Sequence, residues 1–383
     1  MHIQKIKLLT IIAILSAAIA LFVVLGAGSA TGLFSLKQDT INVGVVTSAT
    51  GAVSYQGGQE IKGLELARDE INSTGGINGK QLNLIIEDSK TNPAEGVNAT
   101  NKLVSVDKVK FIIADPFNAV TQVMVPITNN NKIILISPGT TLDELSKDDY
   151  FFRTIPTTQK FAEKLAEYAY NDLNVRRAAL FAREVSFDQE HATDFQKDFE
   201  QLGGIITIKE TALSTQQDFR TSLTKIKATN PELVSDFFSA GAMLGEPLKE
   251  AKELGMNNYW IATEGAENAG IVKQYPDESN GLIYAYPYDL SSKEMKVSDF
   301  ASKFEARYNE SPDAIAAQSY DALMLIADTI KHAGENTTKA KAYLPTIKNY
   351  AGASGTMSFD ANGDADKEII IKQIQNGKFA KVK

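Results

Sequence analysis

The stretch Phe111–Leu145, FIIADPFNAVTQVMVPITNNNKIILISPGTTLDEL, decides the fold class of this chain. Two short apolar runs within it, Phe111–Ala114 and Ile133–Ile136, are typical of strands that are buried on both faces, as in parallel sheets. The residues between the runs predict a short helix. After the second run, Ser137-Pro138-Gly139-Thr140-Thr141 predicts a turn that opens toward another helix.

Each of the two predicted strands is followed by a polar turn, at Asp115–Val120 and at Ser137–Thr141. In an open α/β sheet, ligands bind just beyond the carboxyl ends of the parallel strands. The turns offer hydroxyls, backbone N–H groups and an amide, which suit a small polar ligand better than they suit bond cleavage. The stretch therefore predicts an α/β protein with a binding site at this sheet edge.

The alternation of strand and helix continues along the chain. A unit of strand, polar loop, helix, Gly-Gly-Ile and strand occurs twice, at residues 43–86 and 180–208. We interpret the two units as lobes of like topology, each a Rossmann-like, doubly wound and mainly parallel sheet. The chain is predicted to cross between the lobes three times, near Phe152–Pro156, Leu282–Tyr288 and Ala351–Met357, which makes a three-segment hinge.

The predicted domain boundaries follow from these crossings. The first lobe is assigned residues 39–155 plus 285–352, and the second lobe residues 156–284 plus 353–383. Helices are expected near 159–173 in the second lobe and near 338–350 in the first lobe. A hairpin with residues 358–364 as its turn is predicted to close the chain.

Composition excludes several classes of function. With 383 residues, the chain is too long for one compact core and suits two domains. Its net charge is −8, which argues against a nucleic-acid surface and against docking on anionic lipid. There is no cysteine and there are three scattered histidines, so thiol chemistry is excluded, and a histidine-based metal site or a Ser-His-Asp triad is not expected.

The N-terminal segment, residues 1–38, predicts export. Lys5 and Lys7 precede an uncharged, largely apolar run from Leu8 to about Ala30, the pattern of a signal peptide. The run is also just long enough to span a bilayer, so a retained membrane anchor is an equal alternative to cleavage. Either way, the folded part is expected to work outside the cytoplasm.

A series of short motifs follows one another in a specific order. They are Thr50-Gly51, Tyr55, Gly57, Gly63, Glu70-Ile71-Asn72, Gly75-Gly76-Ile77-Asn78-Gly79, Ser137-Pro138-Gly139-Thr140-Thr141, Thr263-Glu264-Gly265 and Ser319-Tyr320-Asp321-Ala322. In this order the chain resembles the type I periplasmic binding proteins, specifically the leucine/isoleucine/valine-binding family that feeds ABC importers. The resemblance covers about residues 40–380.

The resemblance implies a ligand site shared between the lobes. Gly139-Thr140-Thr141 matches the family's cradle for the ligand α-carboxylate, through backbone N–H groups and the last hydroxyl, and Asn118 stands where the family places a serine. Glu264 matches the acidic partner of the ligand ammonium. The alternative for Thr141 is that it only caps a helix beginning at Leu142.

The resemblance assigns three further positions to the side-chain pocket. Tyr55 matches an aromatic residue that lines it. Phe187 stands where a tyrosine is frequent, and Ala240 appears where a second tyrosine is common, so the chain departs from the family there. The pocket candidates Tyr55, Phe117 and Phe187 are uncharged and favour an aliphatic amino acid, whereas Arg183, if it faces the cleft, favours an acidic or amide ligand.

The implied function is an extracytoplasmic substrate-binding protein that closes on an amino acid and docks on ABC permease subunits. It implies no enzymatic activity, no cofactor and no metal, and a monomer is expected. Asp360–Asp366 resembles a calcium loop only superficially, because the twelfth position lacks glutamate. The alternatives are an amide, urea or amino-acid sensor of the same fold that is not coupled to transport, and a hydrolase.

Overall fold

The structure, a computed structural model, describes residues 40–147, 149–239 and 241–383. The predicted signal or anchor segment and the predicted site residue Ala240 lie outside the described residues. Among the described helices, none combines the length and the apolar character that crossing a membrane requires.

The N-terminal part of the described chain forms a five-stranded sheet. Its strands are β1 (Thr40–Thr47), β2 (Gln81–Asp88), β3 (Phe111–Ile113), β4 (Ile134–Ser137) and β5 (Phe151–Arg153). The spatial order is β2–β1–β3–β4–β5, and the pairs β1–β3, β3–β4 and β4–β5 are parallel. The connecting helices are α1 (Ser54–Ser73), α2 (Pro93–Ser105) and α3 (Asn118–Asn130). β3 and β4 are buried along their whole length, as their apolar runs predict.

Alternate residues of the strands pack on opposite faces of this first sheet. Val43 and Val45 share a buried cluster with Leu64 of α1. Ile112 belongs to a second cluster, together with Met124 of α3. Because both faces are covered by helices, the strands read as continuous apolar runs, and the polar residues concentrate in the turns beyond the strand ends.

The helix expected after Thr141 is wrong. The chain forms only a single 3₁₀ turn, Asp143–Leu145, before it enters β5, and no side chain caps it. β5 pairs in parallel with β4, so residues 138–150 must cross back to the starting edge of the sheet, and this turn is the one helical element among their described residues. The reading of Thr141 as a helix cap therefore has no support in the structure.

A second sheet contains seven strands, namely β6 (Arg177–Arg183), β7 (Ile205–Ala212), β8 (Leu233–Asp236), β9 (Tyr259–Ala262), β10 (Ile283–Tyr286), β14 (Ile370–Gln375) and β15 (Lys378–Lys381). Their spatial order is β15–β14–β10–β9–β8–β6–β7. β6 to β10 pair in parallel, and β14 and β15 are added antiparallel. The helices of this part are α4 (Thr158–Glu167), α5 (Ser186–Gln201), α6 (Arg220–Ala228), α7 (Gly245–Glu253) and α8 (Ala269–Gln274).

The chain then returns toward the first sheet. Three helices follow β10, namely α9 (Met295–Tyr308), α10 (Ala314–Ala333) and α11 (Thr337–Tyr343). A small antiparallel sheet comes next, formed by β11 (Tyr350–Gly352), β12 (Gly355–Phe359) and β13 (Ala365–Lys367). The predicted turn at 358–364 joins β12 to β13, and a further hairpin, β14–β15, closes the chain.

Two expected helices differ in the structure. The helix expected over 338–350 stops at Tyr343 and is followed by a 3₁₀ turn, Leu344–Thr346. Pro345 explains the stop, since proline lacks the N–H that a continuing helix needs. The helix expected over 159–173 changes after Glu167 into a π-helical turn, Tyr168–Asp172.

Strand β10 remains in the second sheet beyond residue 285. Ala285 and Tyr286 still pair with Ile371 and Ile370 in the second sheet, so the chain leaves this sheet only at Pro287. Strand β14 begins at Ile370, so residues 350–367 belong to neither large sheet and form the small third sheet between the outgoing and returning chain.

The close packing of α1 on α10 depends on a glycine. A Cβ atom added at Gly63 would lie 2.1 Å from the carbonyl oxygen of Ala316. We expect Gly63→Ala to lower the free energy of unfolding by about 1–3 kcal/mol, because the two helices must separate. Urea unfolding measures the change.

Gly58, also in α1, is the matched control, because an added Cβ there meets no atom within 4 Å. Gly58→Ala should stabilise the protein by about 0.5–1 kcal/mol through helix propensity alone. Equal effects of the two substitutions would show that the helix contact does not depend on Gly63.

Candidate ligand-binding site

The two polar turns of the first sheet lie against each other. A Cβ atom added at Gly139 would lie 2.8 Å from Cα of Pro116, so only glycine allows this approach. The backbone N–H of Thr141 donates to Oδ1 of Asn118, the first residue of α3, at 3.2 Å. The structure thus brings together four of the predicted site residues, namely Asn118, Gly139, Thr140 and Thr141.

The backbone N–H groups that were predicted to cradle an anion already have acceptors. Those of Gly139 and Thr140 donate to the Ser137 hydroxyl at 3.3 and 2.9 Å, and that of Thr141 donates to Asn118. The hydrogen-bond donors that remain available to a ligand are therefore not these backbone N–H groups. The Thr141 hydroxyl accepts from Thr158 at 3.0 Å and keeps its own proton to donate.

Asn118 supplies the other available donors. Its side-chain Nδ2 finds no hydrogen-bond acceptor among the described residues, and neither does the N–H of Asn118 or Ala119 at the start of α3. Unpaired N–H groups at a helix N-terminus attract anions. The first half of the site therefore has its donors centred on Asn118 and the Thr141 hydroxyl.

A buried aspartate supports these turns from behind. Asp115 accepts hydrogen bonds from the Ser48 hydroxyl at 2.9 Å and from the Phe117 N–H at 2.8 Å, and also from the Ser89 hydroxyl. Burial raises the pKa of Asp115 to about 6, although these hydrogen bonds act in the opposite direction. Asp115 therefore joins the ends of β1, β2 and β3, which fixes the turn that carries Asn118.

Arg153, at the end of β5, holds the second turn and was not among the predicted residues. Its buried guanidinium donates to the Thr140 carbonyl at 3.1 Å and to the Ser146 hydroxyl at 2.9 Å. Its Nε lies 2.7 Å from Oδ1 of Asp364, in the turn between β12 and β13. Asp364 belongs to the segment Asp360–Asp366, which resembles a calcium loop superficially, and it forms an ion pair with Arg153 instead.

Glu264 lies two residues beyond the end of β9, in the second half of the protein. It opens a 3₁₀ turn, Glu264–Ala266, and 15% of its side chain is exposed. Its Oε2 lies 3.0 Å from Nε2 of His191, whereas Oε1 has no hydrogen bond to any residue that the structure describes. One carboxylate oxygen is therefore paired within the protein and the other is free for a ligand.

His191 is a second residue of the candidate site that the sequence did not reveal. It is fully buried on α5, and its Nδ1 lies 3.0 Å from the carbonyl oxygen of Phe187. The Phe187 ring packs against the imidazole at a centroid distance of 4.5 Å. Burial favours the neutral imidazole, but Glu264 and the Phe187 carbonyl outweigh it and raise the pKa of His191. The four-residue spacing from Phe187 was the available signal, since it places both on one helix face.

A cluster of three carboxylates connects the two halves of the site. Asp143, just beyond the Ser137–Thr141 turn, donates its backbone N–H to Oε1 of Glu190 on α5 at 3.0 Å. Carboxylate oxygens of Asp143, Glu190 and Asp194 lie within 4.8 Å of one another. Burial, and then Asp143, raise the pKa of Glu190 to about 7 and that of Asp194 to about 6. We assign no ion to the cluster, because acidic groups often gather without one.

The remaining predicted positions are Tyr55, Ala240 and Arg183. Tyr55 exposes 58% of its surface in the first turn of α1, yet partial desolvation and the carboxylate of Asp313 raise its pKa to about 12. Ala240 lies outside the described residues. The Arg183 guanidinium lies 3.0 Å from the Met243 sulfur and also donates to the Ser214 carbonyl, so it has partners within the second half.

The raised pKa of Glu190 predicts a pH-dependent effect of Glu190→Gln. Because the folded-state pKa exceeds the ordinary value, the carboxylate costs nothing below about pH 4.5 and destabilises the fold increasingly as the pH rises to about 7. We expect Glu190→Gln to stabilise the protein at pH 8 by about 1–3 kcal/mol relative to its effect at pH 5. Thermal unfolding at the two pH values measures this difference.

Glu200→Gln, near the exposed end of the same helix, is the control and should show no such gain. If Glu190→Gln and Glu200→Gln depend on pH in the same way, the carboxylate cluster does not destabilise the folded protein.

Comparison with known proteins supports this description. A family model described as periplasmic binding protein matches residues 40–378. A leucine-, isoleucine-, valine-, threonine- and alanine-binding protein of Pseudomonas aeruginosa is 25% identical over 333 residues, which cover 86% of this chain and 88% of that protein.

Solved structures share the fold over most of the chain. The branched-chain amino acid transporter substrate-binding protein LivJ of Streptococcus pneumoniae, in complex with isoleucine, is 27% identical with a TM-score of 0.79, covering 89% of this chain and 98% of its own. The leucine-binding protein LivK of Thermotoga maritima has a TM-score of 0.81 at 23% identity, covering 90% and 98% of the two chains.

Two α/β sheets with polar turns beyond their strand ends, linked by Asp143 and Glu190, define a ligand-binding protein of the two-part α/β type. The chain belongs to the periplasmic binding protein family. The predicted fold class and the resemblance to the leucine/isoleucine/valine-binding proteins are thereby confirmed.

Proposed function

We propose that this protein is the extracytoplasmic substrate-binding component of an ABC importer and captures an amino acid with an aliphatic side chain. The observation that carries the proposal is the division of polar groups between the two halves. Donors at Asn118 and Thr141 suit a carboxylate, and the free Oε1 of Glu264 suits an ammonium group. The branched-chain ligands named for the relatives support the same conclusion.

The two ends of the ligand are held by different parts of the protein. Its carboxylate accepts from Asn118 Nδ2 and the Thr141 hydroxyl, while Gly139 and Thr140 shape the turn. Its ammonium donates to Glu264. The contact between Asp143 and Glu190 supports a site shared by the two halves, because these residues lie two positions from Thr141 and one position from His191.

The side-chain pocket is assigned to uncharged residues. Tyr55, Phe187 and Ala240 keep the roles that the family resemblance implies, and no charged group is assigned to this end of the ligand. Arg183 is left out of the pocket because its guanidinium already binds Ser214 and contacts Met243. A pocket without a charge favours leucine, isoleucine or valine over acidic or basic amino acids.

We assign residues 39–155 and 287–352 to the first lobe, and 156–286 and 353–383 to the second. The lobes close around the ligand by rotation at the three crossings. The closed form binds permease subunits as a monomer, and the ligand leaves chemically unchanged. Residues 1–38 direct export and are either cleaved or kept as the membrane anchor.

A thermal-shift screen of amino acids, amides and urea tests the proposal. A ligand at 100 times its Kd adds about 2.7 kcal/mol of stability. We expect L-leucine, L-isoleucine or L-valine to raise the melting temperature, and chromatography should recover the ligand intact. Stabilisation by amides or urea alone would favour the sensor alternative, and ligand breakdown would contradict simple binding.

A further inference from the structure

The carboxylate assigned to the ligand ammonium is not an isolated anion. Glu264 Oε2 and His191 Nε2 are 3.0 Å apart, and the histidine side chain is completely buried. His191 lies between this carboxylate and the carbonyl oxygen of Phe187, each 3.0 Å from one ring nitrogen. The protonation of His191 therefore decides how much charge Glu264 presents.

The contacts define the number of protons in this pair. A carbonyl oxygen only accepts, so Nδ1 of His191 must carry a hydrogen that it donates to Phe187. The contact between Nε2 and Glu264 then needs one further proton, placed on either partner. In both arrangements the pair has no net charge. Loss of that proton leaves a carboxylate facing a nitrogen lone pair.

We propose that His191 is a positioning residue for Glu264 and that it couples capture of an amine ligand to release of a proton. This inference rests on the proposed function. In the free protein, His191 holds Oε2 and thereby directs the free Oε1 toward the ligand. When the ligand ammonium binds Glu264, it places a second positive charge beside the imidazolium, which disfavours the charged ring.

The charges balance in this exchange. The ammonium replaces the proton of His191 as the counter-charge of Glu264, and the released proton passes to the solvent. Ligand affinity should consequently increase with pH while His191 is protonated in the free protein. Complete exchange of one proton corresponds to a tenfold increase in affinity for each pH unit.

Other titratable groups surround His191 and have to be separated from it. On its own helix they are Asp188, Glu190 and Asp194, and from other elements they are Glu264 and Asp143. Two positive charges lie nearby as well. Arg183 favours the ionised form of Asp188, and Lys197 favours the ionised form of Asp194, so both affect His191 through these carboxylates.

The direction of proton transfer distinguishes these groups. Bringing Asp143 toward Glu190 during closure places like charges together, so the carboxylates take up protons. The exchange at His191 releases one. Removing the histidine should therefore shift the measured proton count toward uptake.

Isothermal titration calorimetry of L-leucine binding in phosphate and in Tris, at pH 6.5 to 8.5, measures the proton count. We compare the wild-type protein with His191→Gln, whose amide can still donate to Glu264 but does not titrate. The wild type should release up to one proton more than His191→Gln, and its affinity should rise more steeply with pH, by up to tenfold per unit. His332→Gln, at an exposed histidine, should match the wild type.

The outcomes separate the inference from the proposed function. If L-leucine binds both proteins with the same proton count and pH slope, the role of His191 is wrong and the proposed function stands. If no amino acid binds the wild type, both fail. Should His191→Gln not fold, NMR titration of the wild-type imidazole decides: leucine must lower the pKa of His191, and an unchanged or raised value overturns the inference.

Discussion

Replacing Arg153 with methionine is expected to lower the free energy of unfolding by about 3–5 kcal/mol, because it leaves the carboxylate of Asp364 without its buried partner. The substitution also removes the guanidinium hydrogen bonds to the Thr140 carbonyl and the Ser146 hydroxyl. Urea unfolding monitored by circular dichroism measures the loss, and ligand affinity should fall as well because the Thr140 turn is released.

Arg307→Met is the matched control, since Arg307 pairs with Asp69 at 2.7 Å but remains partly exposed. Its cost should stay below about 1 kcal/mol. Adding Asp364→Asn to Arg153→Met should recover part of the loss, because no charge is then left unpaired. A cost of Arg153→Met no larger than that of Arg307→Met would show that the buried pair does not hold the turn.

Glu264→Gln is expected to weaken L-leucine binding by about 30-fold or more, since a buried charged hydrogen bond is worth at least about 2 kcal/mol. The amide keeps the shape of the side chain but lacks the negative charge that an ammonium group requires. Calorimetry at pH 7.5 measures the change in Kd.

Glu253→Gln, on a carboxylate that pairs with Arg220 at the end of α7, is the control and should bind leucine as the wild type does. If Glu264→Gln binds within threefold of the wild type, the ammonium site lies elsewhere.

Much of the fold could be predicted from local patterns. The buried runs around Ile112 and Leu135 indicated parallel strands, and both runs form such strands in the structure. The rule that ligands bind beyond strand ends also predicted that the turns of Asn118 and Thr141 would lie together. Each of these features depends on residues that are near in sequence or adjacent in the sheet.

The partners within the site could not be predicted in the same way. Arg153 pairs with Asp364, and His191 with Glu264, across long separations in sequence, so no local pattern announces them. Three scattered histidines predict neither a metal site nor a catalytic triad, and their spacing does not indicate a carboxylate partner. The occupied N–H groups of the Thr141 turn likewise depend on where Ser137 and Asn118 point, which only the folded chain determines.

The most direct test of the central claim is a crystal structure of the protein grown with L-leucine. The account predicts the ligand between the two lobes, with its carboxylate within hydrogen-bond distance of Asn118 Nδ2 and the Thr141 hydroxyl, and its ammonium within hydrogen-bond distance of Glu264 Oε1. Leucine bound in the opposite orientation, or bound without contact to both Thr141 and Glu264, would contradict it.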